Sequence, residues 1–259
     1  LTRILVLSDI HGNLDALEAV LSDARGWDEV LVLGDLVDYG PQPGEVIDTL
    51  KGLGARILKG NHDHAVAYGV DCRCGEATHW LSVWFRENIT NKLLGREEKR
   101  FLAELPEQLV LSLGGLGEAV AVHGAPASKL YAYLYPWLRE EEACKLLSFS
   151  ARLFQGNRGE ACKLSRGLYL VGHTHYQFYR LIGGAVVANP GSVGQPRDGD
   201  PRAAYMVIDT EAATITMKRI KYPVDKTVEK LRALSIPSPY IDALIYMLVE
   251  ARTPPPPRG

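Results

Sequence analysis

The 259-residue chain carries 46% hydrophobic and 23% charged residues with a formal net charge of -2, an ordinary balance for a globular protein with a substantial core. That balance excludes a wholly disordered chain and gives no basic footprint for duplex nucleic acid, so attraction for a phosphate has to come from a local site. No run reaches membrane-spanning length and the N-terminus opens into a strand without a secretory signal, so a cytoplasmic protein with no membrane partner is expected. The four cysteines, Cys72, Cys74, Cys144 and Cys162, are too few for a disulfide scaffold and are read as free thiols in a reducing compartment.

In chain order, Ile4 to Leu7 reads as a strand ending in Ser8-Asp9-Ile10-His11-Gly12-Asn13. Asn13 is placed to cap a helix marked by Leu14, Leu17 and Leu21. Val30 to Leu33 is a second apolar strand, and it stops at Gly34-Asp35-Leu36-Val37-Asp38-Tyr39-Gly40. Taken alone, this stretch fits a turn as well as a metal or phosphate site, because Gly and Asp serve both. A helix over Glu45 to Leu50 follows, then a short strand at Ile57-Leu58 ending in Gly60-Asn61-His62-Asp63. The repeated order strand, loop, helix predicts a parallel βαβ sheet whose strand ends carry Asp, His or Asn.

From His64 to about Leu105 the pattern is helical and reads as an insertion beside the sheet. Leu109 to Leu113 and Ala119 to Val122 are strands, the second ending in His123-Gly124. A further insertion spans 125–166, with aromatics at Tyr131, Tyr133, Tyr135 and Trp137 and a helix near Glu140 to Phe154. Leu168 to Val171 is a strand ending in Gly172-His173-Thr174-His175. The strands Phe178 to Ile182, Ala185 to Ala188, Ala204 to Ile208 and Ala213 to Ile220 are expected to be antiparallel neighbours, the first two joined at Gly183-Gly184, and they imply a second sheet stacked on the first. Two helices over 221–253 form a C-terminal extension, and the prolines from Pro254 lead into an extended tail at 254–259.

Five of the seven histidines, His11, His62, His123, His173 and His175, fall at strand ends. Packing needs alone would not gather them on one edge of one sheet. Cys72 and Cys74 with His79 offer three donors to a structural zinc, but one residue between the thiols is poor spacing, and ordinary insertion residues are the plainer reading.

The ordered set Asp9-Ile10-His11, Gly34-Asp35-Leu36-Val37-Asp38, Gly60-Asn61-His62-Asp63, His123-Gly124 and Gly172-His173-Thr174-His175 resembles the calcineurin-like metallophosphoesterase superfamily, across residues 2–220. The wording of Gly34 to Pro41 and Asn189-Pro190-Gly191-Ser192 resembles its small prokaryotic branch of phosphodiesterases and dinucleoside polyphosphate hydrolases. The resemblance implies an α/β (α+β) fold, a four-layer αββα sandwich of two mixed sheets over residues 1–220, with two divalent ions above the strand ends. It implies that Asp9, His11, Asp35 and His175 hold one ion, and that Asn61, His123 and His173 hold the other with Asp35 shared. Such mixed oxygen and imidazole donors suit Mn, Fe, Zn or Ni, and a shared carboxylate holds ions about 3.5–4 Å apart.

The implied reaction is hydrolysis of a small phosphodiester, phosphomonoester or nucleotide anhydride by a water that bridges both ions. His62 is implied as the acid for the leaving group, with Asp63 fixing its tautomer and Asp38 accepting from a metal-bound histidine or a loop amide. Arg197, Ser192 and Tyr39 are the residues assigned to substrate. Tyr39 stands where the family's protein phosphatases carry Arg, which argues against a phosphoprotein substrate. The aromatics from Tyr131 to Trp137 fit either core or a stack for a nucleobase. The alternative is a catalytically silent scaffold on the same fold, which would have no use for His62. Homo-oligomers are compatible with the sequence.

Overall fold

The computed structural model describes residues 2–148, 162, 164 and 167–255. Its first sheet has the strand order β10-β9-β1-β2-β3, formed by β1 (Arg3–Leu7), β2 (Glu29–Val32), β3 (Arg56–Ile57), β9 (Ala203–Asp209) and β10 (Thr214–Ile220). The second, β4-β5-β6-β8-β7, is formed by β4 (Gln108–Ser112), β5 (Glu118–Val122), β6 (Leu168–Leu170), β7 (Gln177–Ile182) and β8 (Ala185–Pro190). Both are mixed. β1, β2 and β3 run parallel, as do β5, β6 and β8, while β9, β10, β4 and β7 pair antiparallel.

The strand β1 shows why the sheets stack. Leu5 and Leu7 point into a core shared with α1 (Leu14–Asp23) and α2 (Pro43–Gly52), together with Leu17, Val20, Ile47 and Leu50. Ile4 and Val6, one residue out of phase, point into the core between the sheets with Leu31, Leu33, Ala119, Leu168 and Met206. A strand buried on both faces needs no polar alternation, and its run is continuously apolar. On the far side of the second sheet, Val122, Tyr169 and Val187 pack against Ala143 and Leu147 of α7 (Glu140–Leu147). Helix, sheet, sheet and helix therefore form four layers, as expected.

The insertion after β3 is helical: α3 (Asn61–Tyr68), α4 (Glu76–Phe85), a π-helical turn at Arg86–Thr90, α5 (Asn91–Leu93) and α6 (Arg96–Glu104). At the C-terminal end, α8 (Val224–Ala233) and α9 (Tyr240–Glu250) bury Val228, Leu231, Leu244 and Met247 against Leu81 and Phe85 of α4 and against Tyr39. Trp84 and Tyr240 stack with ring centroids 4.1 Å apart and fasten α9 to α4.

Three expectations need correction. The last four strands do not form one sheet: β7 and β8 are a hairpin closing at Ile182 and Ala185 in the second sheet, whereas β9 lies between β1 and β10 in the first. Period-two patterning identifies hairpins but not the sheet they join. The histidine-bearing strand ends consequently belong to two sheets whose carboxyl edges meet, rather than to one. Cys144 and Cys162 are joined in a disulfide with Cα atoms 6.1 Å apart, leaving Cys72 and Cys74 as free thiols. The cysteine count therefore gives no reason to assume a reducing compartment. The helix expected to run to Phe154 ends at Leu147, and its expected residues 149–154 lie outside the described ones, as do 256–259 of the tail. Among the described residues no helix is long and apolar enough to cross a membrane.

Candidate metal centre

Each strand hands its motif to a sharply turned loop. Asp9, His11, Asp35, Asp38, Tyr39, His173 and His175 all have positive φ, between 49° and 67°. Non-glycine residues seldom adopt that region, and their clustering marks a site where the surroundings dictate the backbone. Turned in this way, consecutive side chains leave the strand direction and converge above the sheet edges. Gly60 is required for the same reason: a Cβ there would collide with the Asp35 carboxylate.

Three imidazoles are aimed by backbone carbonyls. Nδ1 of His11 donates to Val37 O at 2.8 Å, Nδ1 of His123 to Leu33 O at 2.8 Å, and Nδ1 of His175 to Gln195 O. A carbonyl only accepts, so each Nδ1 carries a proton and each ring turns Nε2 inward, as a bare lone pair wherever the ring is neutral. These nitrogens end in two groups. His11 Nε2 lies 3.3 Å from His175 Nε2, which is 3.3 Å from Asp9 Oδ1. His123 Nε2 lies 3.1 Å from His173 Nδ1 and 3.0 Å from Asn61 Oδ1. The Asn61 amide is oriented by its Nδ2, which donates to Cys72 O at 2.9 Å.

Asp35 joins the groups. Its Oδ1 accepts from His62 N at 2.9 Å, while Oδ2 has no hydrogen-bond partner and lies 3.2 Å from His123 Nε2 and 3.7 Å from His11 Nε2. Asp9 Oδ1 is likewise buried without a partner. Buried carboxylate oxygens without hydrogen-bond partners, facing inward-turned imidazole nitrogens, are an arrangement that a cation completes. One ligand atom from each of Asp9, His11 and His175 lies within 4.8 Å of the others, and the same holds for Asp35, His123 and His173. The residues present fit divalent metal ions.

The electrostatics set His123 apart from the other three rings, because an ion bound beside it has to displace its second proton. Burial pushes His11 down to about 3 and holds His175 and His173 well below the usual imidazole range, so these rings stay in the neutral, ligating form. Burial also raises Asp9 to about 6. For Asp35 burial acts upward, but His123 and His62 outweigh it and hold the carboxyl well below its ordinary value. His123 shows the converse: burial lowers it, and Asp35 beside it raises it to about 9.

His62 sits next to this centre, its ring edge-on to His11 at 5.1 Å. The expected partner of His62 is corrected here. Asp63 turns away, its carboxylate accepting from the backbone N–H groups of Asp35 (2.8 Å), Leu36 (2.9 Å) and Gly60 (2.9 Å) and so stapling two motif loops together. The residue on His62 is Asp38, whose Oδ2 is 2.8 Å from Nδ1. Asp38 was expected to serve a metal-bound histidine or a loop amide; it instead accepts from His62, from Arg86 Nε at 3.0 Å and from Thr90 Oγ1 at 2.7 Å. Arg86 and Thr90 bracket the π-helical turn, a local irregularity of the kind often found at functional sites. Neither has a sequence marker, since the turn exists only in the packed helix.

The residues assigned to substrate divide. Ser192 is fully buried and its hydroxyl is spent, donating to Asp9 O and accepting from Gln195 N, both at 2.7 Å, so it braces the Asp9 loop instead of facing substrate. Tyr39 is buried against His11 and His62, ring centroids 5.1 Å from each. Arg197 is half-buried with Nη2 on Gln195 Oε1 at 2.8 Å and Nε unpaired, and its charge reaches Asp9, His11 and His175. Asn189 holds Gly172 O and Thr174 Oγ1 and shapes the His173 loop.

The aromatics for which the sequence left core and stack both open form a stack. Tyr133 lies over His173 with centroids 3.9 Å apart, Tyr135 lies 5.5 Å from Tyr133, and Trp137 lies 4.7 Å from Tyr135, with the three rings parallel to within 12° at each step. Their i, i+2, i+4 spacing is the available signal, because alternate side chains of an extended segment share a face. Trp137, at the outer end, is 61% exposed.

The profile of the calcineurin-like phosphoesterase superfamily domain matches residues 2–213. Superposition gives a TM-score of 0.75 with a metallophosphoesterase from Sphaerobacter thermophilus, 29% identical and covering 96% of this chain and 99% of that one. A hypothetical protein of Pyrococcus horikoshii shares the fold at a TM-score of 0.74 and 20% identity, over 94% of this chain and 98% of that one. The architecture and its strand-end residues thus define a metallophosphoesterase-type sandwich, and the chain belongs to the calcineurin-like phosphoesterase superfamily. An uncharacterized protein of Methanocaldococcus jannaschii is 31% identical over 250 residues, 89% of this chain and 92% of that one. The symmetrical bis(5'-nucleosyl)-tetraphosphatase of Vibrio vulnificus is 31% identical over 151 residues, 54% of this chain and 56% of the relative.

Proposed function

We propose that the protein is a phosphoesterase dependent on two divalent ions, and that it hydrolyses a small phosphodiester, phosphomonoester or nucleotide anhydride. The observation carrying this reading is the unpaired Asp35 Oδ2 between His11 Nε2 and His123 Nε2, 3.7 and 3.2 Å away. One carboxylate atom facing two separate donor groups is the arrangement that shares a ligand between two ions. Mn, Fe, Zn and Ni all suit these donors. Ions held there supply Lewis acidity, activating water and neutralising phosphate oxygens.

The chain's own residues do the rest. Asp9, His11 and His175 on one side and Asn61, His123 and His173 on the other would hold the ions over the sheet edges. His62 carries the proton: burial alone would lower its pKa, but Asp35 and Asp38 raise it, so the ring holds Nδ1–H on Asp38 and a second proton on Nε2 for the departing oxygen. Arg197 and Tyr39 flank the phosphoryl group. The parallel rings from Tyr133 to Trp137 favour a substrate with a nucleobase, which stacks on such faces. The tetraphosphatase similarity supports the same substrate class.

The test is a panel of p-nitrophenyl monoester, p-nitrophenyl diester and dinucleoside polyphosphate, run with metal content measured on the purified protein. Turnover that requires about two ions per chain and vanishes on chelation supports the reading. Undiminished turnover by metal-free protein, or none across the whole panel with metals supplied, overturns it.

A further inference from the structure

A third set of metal-type donors includes His62. α3 begins at Asn61-His62 and ends at Tyr68, capped by Gly69, and the chain then folds back to bring Cys72 and Cys74 beside its first turn. One ligand atom from each of His62, Cys72 and Cys74 lies within 4.8 Å of the others. The thiols are 0% and 8% exposed, unlinked, and their sulfurs are 2.8 Å apart. Ser82 Oγ of α4 is 3.2 Å from the Cys72 sulfur.

The loop is built to present both sulfurs together. Residues two apart in an extended chain share a face but diverge along it. Here Arg73 between them has φ 49°, which folds Cys74 back toward Cys72. A positive φ at arginine persists only where the surroundings hold it. They do: Asp71 Oδ1 accepts from Arg73 N at 2.8 Å and His79 Nε2 clamps both Asp71 oxygens at 3.0 Å. Cys72 O holds Asn61 Nδ2 at 2.9 Å, and Gly75 N donates to Tyr133 OH at 2.9 Å. His79, the third donor suggested by the sequence, is thus spent on Asp71, and His62 takes its place beside the thiols.

Donor softness separates this group from the other two. Carboxylate, amide and imidazole donors accept Mn or Fe, whereas two thiolates with an imidazole select zinc, cadmium or cuprous ions. We propose that His62, Cys72 and Cys74 form a separate site for a thiophilic ion, and that an ion bound there withdraws His62 from substrate. The second half rests on the proposed role of His62; the binding half does not.

The experiment uses the full chain with the Cys144–Cys162 disulfide intact, the two free thiols counted and the oxygen-imidazole sites pre-filled with Mn(II). It is titrated with Cd(II) while the ultraviolet thiolate-to-cadmium charge-transfer absorption is followed. One equivalent per chain should saturate the band, and the cadmium-113 chemical shift of the wild-type complex should report two sulfur ligands, a readout that needs no variant. Cys72→Ser and Cys74→Ser should each weaken Cd(II) binding by more than about tenfold, while the Cys144→Ser/Cys162→Ser pair should bind as wild type does. Absence of the band at stoichiometric Cd(II), or its survival in the Cys72→Ser/Cys74→Ser double variant, overturns the site. In Mn-loaded protein, that equivalent of Cd(II) should abolish hydrolysis by wild type but not by Cys74→Ser. A full band with unaltered turnover overturns the withdrawal of His62 alone, and a protein without turnover on any substrate still tests the site through its spectrum.

Discussion

His62 Nδ1 lies 2.8 Å from Asp38 Oδ2, and the pair is buried, with side chains 3% and 0% exposed. Asp38 is in turn held by Arg86 and Thr90, so a carboxylate with three donors fixes the orientation of one imidazole. Although burial acts to raise Asp38, His62 and Arg86 hold it below its ordinary value, and it remains an acceptor at neutral pH. Removing the proton carrier should therefore cost rate in proportion to how badly the leaving group needs a proton. His62→Asn is expected to lower kcat by about 10²–10⁴ for an alkyl leaving group and by much less for p-nitrophenolate, a stable anion. Equal losses for both would show that His62 does not deliver a proton.

Asp38→Asn should keep the ions and lose the orientation. The expected outcome is a fall in kcat smaller than that of His62→Asn, unchanged metal content, and a downward shift in the basic limb of the pH–rate profile, because the imidazolium loses its carboxylate. A profile superimposable on wild type would separate Asp38 from the proton step.

Asp35→Asn tests the shared ligand. Its Oδ2 faces both donor groups, so one substitution should lower occupancy of both, whereas His11→Ala should chiefly empty the group of Asp9 and His175. Metal analysis after dialysis reads this directly. Loss of only one ion in Asp35→Asn would assign Asp35 to one group.

In metal-free protein the stability contributed by His11 should be lost on acidification. His11 has a folded value of about 3 against about 6.5 unfolded, so between these pH values the unfolded chain binds the extra proton. The contribution is fully present above about pH 6.5 and is lost as pH falls toward 3. From pH 6.5 to 5 this one ring accounts for roughly 2 kcal/mol, and His173 and His175, also lowered, act in the same direction. Asp9, raised to about 6, and His123, raised to about 9, act the other way, so urea unfolding of chelated wild type and His11→Gln at pH 7.5 and 5 isolates the ring; the same pH dependence in both proteins would mean that His11 is not buried neutral.

Trp137, exposed at the end of the stack, is far from the proton step. Trp137→Ala should raise KM several-fold for a dinucleoside polyphosphate, since base stacking is worth about 1–3 kcal/mol, and leave p-nitrophenyl diester kinetics unchanged. Identical KM changes for both substrates would remove the stack from substrate recognition.

The chemistry-bearing positions were legible because each is local. A short apolar strand stopping at Asp, His or Asn is visible in a window of a few residues, and the ordered recurrence of five such ends outweighs the turn reading of Gly34 to Gly40. Partner choice was not local. Asp63 adjoins His62 in sequence, but α3 directs its carboxylate into the loop amides of Asp35, Leu36 and Gly60. Asp38, 24 residues away, reaches the ring instead. The same holds for Ser192, whose hydroxyl is taken by the Asp9 loop 183 residues distant.

By itself the sequence determined the strand-end motifs, the order of most elements and the family resemblance, since these depend on hydrophobic period and on residues adjacent in the chain. Tertiary structure decided that β9 and β10 join the first sheet while β7 and β8 join the second, which lets two carboxyl edges meet and face Asp35 with both donor groups. It also decided that Cys144 pairs with Cys162, and that Cys72 and Cys74 close on His62 rather than on His79. Those outcomes rest on packing between segments far apart in the chain, where local periodicity carries no information about which surfaces meet.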